Sequence, residues 1–337
     1  MRIYFIFAFF TAIIREMLKK YFLQTVSVLI LLGIAWALFL LRHPSPPKNA
    51  LTESVKTQIQ ANVSQKEGDT NTNSIGSDFF PMRNWMIDEP EISAKSAIVV
   101  DFKTEQPKNN ILYQKNAEQK LSIASLTKIM TAIVALENLN PDQVIKISKE
   151  SVFTDGNNGG LIISEELTVQ DLLYIMLVES SNDAAMALAN DNQHLHYEEF
   201  IKLMNEKATE LQMANTHFED ASGLSEKNYS TVSEMIDLVK YAMRTPLLAQ
   251  ILETQETTIN SVDNKIIHNL FSTNKLLGKI PVILGGKTGY TDEAGGCMLT
   301  FSKIDSSYLV TVVLGSQNRE DDTEKLINWA QTAWLWQ

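Results

Sequence analysis

The chain has 337 residues, 45% of them apolar and 20% charged, with a net charge of −11. That balance excludes a disordered, collagenous or disulfide-built protein. The negative charge argues against a nucleic-acid partner, whose phosphates need clustered Lys and Arg. The single cysteine, Cys297, can form no intrachain disulfide. It opens an apolar run with no basic neighbour to favour the thiolate, so it reads as a small buried hydrophobe.

Residues 22–41 (FLQTVSVLILLGIAWALFLL) carry no charge, and their length matches the ~30 Å hydrocarbon layer of a bilayer. Arg15, Lys19 and Lys20 precede them, while Arg42 and Lys48 follow more sparsely. That asymmetry sets the N-terminus in the cytoplasm and sends the rest outside. Arg42-His43-Pro44 offers no small-x-small cleavage site, so an uncleaved signal anchor is expected, preceded by a cytoplasmic or interfacial segment over 1–21. Within that segment, 3–14 is apolar but short for a span, and Met17 is an alternative start. Residues 42–84 turn to Pro and small polar residues without apolar periodicity and read as a flexible linker. The folded domain is expected over 85–337.

Within it, 96–103 (SAIVVDFK) and ILYQ read as strands around a turn-like EQPKNN. The stretch 123–139 is apolar nearly all round without Gly or Pro, which predicts a helix buried on most sides. Thr168-x-x-Asp171 is a capping-box pattern opening a second apolar helix. Further helical patterns cover 197–212 and 231–245, the latter stopped by Pro246. The last third is strand-like (VILGGKTGYT, CMLTFSK, SYLVTVVLG) and closes on a helix near 320–336 that carries Trp329, Trp334 and Trp336 as packing against a sheet. Strand pair, helix-rich middle, strands and helix predict an α/β (α+β) fold: an antiparallel sheet flanked by helices, with an all-helical lobe.

Three polar elements stand out. Ser125-Leu-Thr-Lys128 opens the buried helix, where i, i+3 spacing stacks hydroxyl and amine on one face. A Lys within an apolar helix loses affinity for its proton and can accept one from the Ser, and the N–H groups at a helix start favour an oxyanion. The same Ser/Lys spacing at Ser45/Lys48 falls in the linker, and at Ser272/Lys275 it precedes no clear helix. Ser180-Ser181-Asn182 interrupts two helices at a tight turn. Lys287-Thr288-Gly289 lies on a strand behind Gly285-Gly286, where a ligand can approach closely and the Lys/Thr pair can bind a carboxylate. Each alone is commonplace: a capping Ser with a snorkelling Lys, a turn, a strand.

In this order the three elements resemble the set of the serine β-lactamases and penicillin-binding proteins. The phrases LTVQDLLYIMLVESSNDAAMALA, NTHFEDASGLSEKNYSTVSEM, STNKLL and GGKTGYTDEAGGC bring the chain nearer to the D-alanyl-D-alanine carboxypeptidases. The likeness runs from about 95 to 335 and implies a β-lactamase/transpeptidase-like fold acting on peptidoglycan stem peptides, inhibited by β-lactams and needing no cofactor. It implies Ser125 as nucleophile, Lys128 as general base, Ser180 as proton relay and Asn182 as holder of the substrate amide. Lys287 and Thr288 would bind the terminal carboxylate, with Gly289 and Tyr290 beside them. The N–H groups of Ser125 and Tyr290 would form the oxyanion hole. Ser181 stands where the family usually has Gly, and SIASLTK lacks the more usual Pro. No β-rich domain follows the closing helix, as in single-domain members, some of which cleave cross-links; D,D-endopeptidase is therefore the alternative to carboxypeptidase. A β-lactamase would need E-x-x-L-N between the second and third motifs, and only Glu137-Asn138-Leu139-Asn140, upstream of both, is similar. A catalytically silent wall-binding module is at odds with the intact Ser125, Lys128 and Lys287. His194-x-His196 lacks a third ligand at useful spacing, so no metal is expected.

Overall fold

The computed structural model describes residues 81–102, 110–192 and 195–336. The expected anchor, the segment before it, most of the linker and His194 lie outside the described residues. Among the described residues no helix is long and apolar enough to cross a membrane.

A short strand, β1 (Met82–Arg83), leads to β2 (Ser96–Phe102) and β3 (Asn110–Lys115), and β4 (Leu121–Ser122) delivers the chain to the Ser125 turn. α1 (Thr127–Asn138) follows, then β5 (Val144–Lys146), α2 (Lys149–Val152), β6 (Glu166–Thr168), α3 (Val169–Val178), α4 (Asn182–Met186) and α5 (Tyr197–Glu210). β7 (Tyr229–Ser230), α6 (Val232–Ala242), α7 (Pro246–Leu252) and the hairpin β8 (Glu256–Asn260) and β9 (Ile267–Phe271) come next. The chain closes on β10 (Ile283–Thr291), β11 (Gly295–Ile304), β12 (Ser307–Ser316), α8 (Arg319–Ala333) and β13 (Trp334–Leu335). The central sheet has the order β10-β11-β12-β2-β3, every pair antiparallel.

β2 is buried along its whole length because both sheet faces are covered. Alternate residues serve different cores, as the two-residue period of a strand requires. Ile98, Val100, Leu299, Phe301, Val310 and Val312 face the helical lobe. Val99, Met298, Leu309 and Val313 pack with Leu326, Ile327 and Trp329 of α8. The expected sheet with flanking helices and a helical lobe is the observed architecture.

In the lobe, α1 buries every residue from Thr127 to Ala135. The capping box is formed: Asp171 N–H donates to Thr168 Oγ1 at 3.1 Å, and Thr168 N–H donates to Asp171 Oδ2 at 3.1 Å. Pro246 does not cut off a helix running to 245. α6 ends at Ala242, and Pro246 opens α7 at its first position, where a missing N–H costs nothing.

The closing helix is also shorter than its pattern. It ends at Ala333, and Trp334–Leu335 pairs with Met82–Arg83 as a two-stranded ribbon. Trp329, Trp334 and Trp336 still pack on the sheet side, with Trp329 edge-on to Tyr113 at 5.7 Å and Arg83 over its ring at 4.8 Å. Replacing Trp329 with Ala should lower the unfolding free energy by about 4 kcal/mol, read from urea titration of the two proteins.

Candidate active site

The Ser125 turn is a single 3₁₀ turn, Ala124–Leu126, running directly into α1. Ser125 lies in this turn and Lys128 in the first turn of α1, so the stacking read from helical spacing is made across the junction of the two. Ala124 holds φ +45°, a left-handed conformation costly for a residue with a Cβ. Two glycines make room for it. A Cβ on Gly223 would lie 2.0 Å from the Ala124 carbonyl oxygen, and one on Gly289 would lie 2.8 Å from Ser125 N. Both therefore serve close backbone approach.

Ser125 is half-buried at the cleft and Lys128 is wholly buried. Lys128 Nζ lies 2.9 Å from Ser125 Oγ, 2.7 Å from Asn182 Oδ1 and 2.6 Å from the Ser222 carbonyl oxygen. Burial lowers its pKa to about 7; the negative charges of Asp220 and Asp183 oppose that fall. An amine in this setting is a base at neutral pH.

Ser180 has φ +63°, and Ser181 caps α4 by accepting from Ala184 N–H at 3.0 Å. The turn aims Ser180 and Asn182 at the two lysines. Asn182 donates through Nδ2 to the Asp155 carbonyl at 2.8 Å, which leaves Oδ1 for Lys128. Across the cleft, Lys287 Nζ reaches Ser180 Oγ at 2.7 Å and the Thr288 carbonyl at 2.7 Å. Lys287 is buried too. Desolvation first, then the positive charges of Lys128 and Arg319, hold its pKa well below the usual lysine range. Thr288 Oγ1 is 2.6 Å from Thr273 Oγ1, and Tyr290 is exposed, its hydroxyl donating to Asp292 at 3.3 Å. The β10 segment from Lys287 to Tyr290 therefore forms one wall of the cleft, and Ser125, Lys128, Ser180 and Asn182 form the other.

Four contributors were invisible to motif reading. Asp155 and Ser222 act through backbone carbonyls, which carry no side-chain signature. Thr273 lies within STNKLL but has no chemistry until β9 brings it to Thr288. Arg319 donates through Nη1 to the Gly289 carbonyl at 2.7 Å from the start of α8. The Glu137 phrase supplies no carboxylate to the site. Twelve residues along the Ser125 turn and α1 place it about 18 Å from Ser125, where it pairs with Lys207 at 2.9 Å. Cys297 is buried and its thiol is pushed up to about 11 by desolvation, so it is inert. His196 stands at the N-cap position of α5, and among the described residues no group of three or more His, Cys, Asp or Glu could hold a metal.

The architecture and this two-walled serine–lysine cleft are those of the penicillin-binding serine enzymes: a Streptomyces DD-transpeptidase structure superposes with a TM-score of 0.66, 30% identity and coverage of 72% of this chain and 98% of that one. The sequence model for D-alanyl-D-alanine carboxypeptidase matches residues 84–318, and the chain belongs to that family of serine hydrolases. A D-alanyl-D-alanine carboxypeptidase of Bacillus subtilis is 31% identical over 70% of this chain and 62% of its own length. A D-alanyl-D-alanine endopeptidase of Pseudomonas aeruginosa is 33% identical over 72% of this chain and 79% of its own length.

If Gly289 must be bare to let β10 approach Ser125, Gly289→Ala should cut fluorescent-penicillin labelling by about a hundredfold. Its far-UV circular dichroism should match the parent protein.

Proposed function

We propose that the protein is a serine D,D-carboxypeptidase that removes the terminal D-Ala of peptidoglycan stem peptides through an acyl-enzyme on Ser125. The observation that carries this reading is the desolvated Lys128 amine 2.9 Å from Ser125 Oγ. A neutral amine has two N–H groups and one lone pair. Asn182 Oδ1 and the Ser222 carbonyl take the two N–H groups, so the lone pair is left for the Ser125 hydroxyl proton.

Ser125 Oγ attacks the penultimate D-Ala carbonyl as its proton passes to Lys128. The N–H groups of Ser125 and Tyr290 receive the oxyanion. Collapse breaks the C–N bond, and Ser180, hydrogen-bonded to Lys287, passes its proton to the departing D-Ala amine and is reprotonated by the proton that Lys128 took from Ser125, which leaves Lys128 neutral again. Asn182 holds the substrate amide. Lys287 and Thr288 take the terminal carboxylate, with Arg319 adding a second positive charge behind Gly289. Water then attacks the ester, with Lys128 again as base, and frees the shortened stem.

The apolar span 22–41 and its upstream basic residues support an N-terminal anchor that holds the domain on the outer side of the membrane, where stem peptides lie. Cleavage of cross-links is a second reading, favoured by the relatives named D-alanyl-D-alanine endopeptidase at 31–36% identity. Mass spectrometry of muropeptides incubated with the protein separates the two: loss of one D-Ala means carboxypeptidase, and dimer-to-monomer conversion means endopeptidase. No change in either pool sinks both.

Because Lys128 must be neutral to accept a proton, β-lactam acylation should rise with pH through about 7 and level off above it. Lys128→Ala should acylate about a thousandfold more slowly while keeping its circular dichroism. Near-normal acylation of that variant would remove Lys128 from the role of base.

A further inference from the structure

The Ser222 carbonyl that orients Lys128 belongs to loop 219–225, and the direction of that carbonyl has an identifiable source. Asp220 Oδ1 accepts from Ser222 N–H at 2.7 Å, Ser222 Oγ at 2.9 Å and Gly223 N–H at 2.6 Å, while Oδ2 accepts from Ser225 N–H at 2.6 Å. One carboxylate thus collects the N–H groups on one side of the loop and turns its carbonyls to the other side. Those carbonyls enter α1: Ala221 O accepts from Thr131 Oγ1 at 2.6 Å and Ser222 O accepts from Lys128 Nζ at 2.6 Å. Buried Asn228 ties the assembly down. It accepts from Glu219 and Asp220 N–H at 2.7 and 3.1 Å, and donates to Asp220 O at 3.0 Å and Thr127 Oγ1 at 3.1 Å. Gly223 of the same loop passes under Ala124.

We propose that Asp220 is the positioning residue of the base: its carboxylate shapes loop 219–225 so that the Ser222 carbonyl meets Lys128, and it sets a negative charge against the Lys128 amine. This role rests on the acyl-enzyme reading above and adds to it a residue outside the three motifs. The charged groups acting on Lys128 come from three elements: Asp220 from this loop, Asp183 from α4 and Lys287 from β10. Asp183 accepts from Gly159 and Leu161 N–H at 2.9 and 3.1 Å, and from Ser181 Oγ and Ala184 N–H in its own turn, so it ties the start of α4 to the 159–161 segment. Asp220 combines its charge with the placement of the Ser222 carbonyl, which it sets through the N–H groups of that carbonyl's own loop.

The sign of the charge effect follows directly. A negative neighbour favours the protonated amine, so its removal lets Lys128 give up the proton at lower pH. The test is the pH dependence of Ser125 acylation by benzylpenicillin in the full chain, its D220N variant and its D220E variant. D220N should move the acid limb down by about half a pH unit or more and lower the plateau about tenfold. D220E keeps the charge but displaces the loop, so its limb should stay with the parent protein while its plateau falls. A D220N profile whose limb coincides with the parent's, whatever its plateau, overturns the proposal, as does a D220E limb that moves with D220N. Failure of both variants to fold, judged by thermal unfolding, also overturns it, because Asp220 would then hold the fold rather than the base. A parent protein that is not acylated at Ser125 overturns the acyl-enzyme reading itself, and this role with it.

Discussion

A lysine amine with no access to water is the constraint on which the rest of the molecule depends. Ionised, Lys128 would be a costly guest in the apolar lobe, and neutral it needs partners for two N–H groups. Both conditions are met by convergence. α1 carries the amine, the α3–α4 turn brings Asn182, and loop 219–225 brings the Ser222 carbonyl. Each supporting piece is itself pinned: Asn182 by the Asp155 carbonyl, and loop 219–225 by Asn228 and Thr127. Apolar burial around α1 therefore does two jobs. It stabilises the lobe, and it strips the amine of the water that would keep it protonated.

The second buried lysine extends the same logic. Lys287 sits on the opposite wall, its charge disfavoured by burial, by Lys128 whenever that amine is protonated, and by Arg319. A cleft built this way favours an anion, and the terminal carboxylate of the proposed stem-peptide substrate would supply one. Under the proposed function, the reacting groups and the carboxylate cradle thus belong to one electrostatic unit. β10 brings that unit against the nucleophile only because Gly289 lets its backbone approach Ser125 N.

Much of the fold was legible because it rests on local rules. The all-round apolarity of 123–139, the Thr168/Asp171 capping box and the β-branched runs of the sheet each specify their element from neighbours in sequence. Pro246 and Trp334 mark where local rules divide. Proline ends one helix or opens another with equal ease, and the chain turned from helix to strand at Trp334 because Met82–Arg83 lies alongside to pair with it. The site was legible in its side chains and silent in its carbonyls. Ser125, Lys128, Ser180, Asn182, Lys287 and Thr288 carry chemical identity in their residue types, and the structure brings all six to one cleft. Asp155 and Ser222 contribute an oxygen that any residue owns.

By itself, then, the sequence determined which groups are available, in what order, and that the first lysine would be buried, since hydrophobic periodicity and residue type are local properties. Only the tertiary structure decided which acceptors meet that lysine, how Thr273 and Arg319 join the β10 wall, and that Asp220 shapes the loop whose carbonyl meets Lys128. Those contacts depend on where distant loops return in space, and a backbone carbonyl leaves no mark in the sequence that places it.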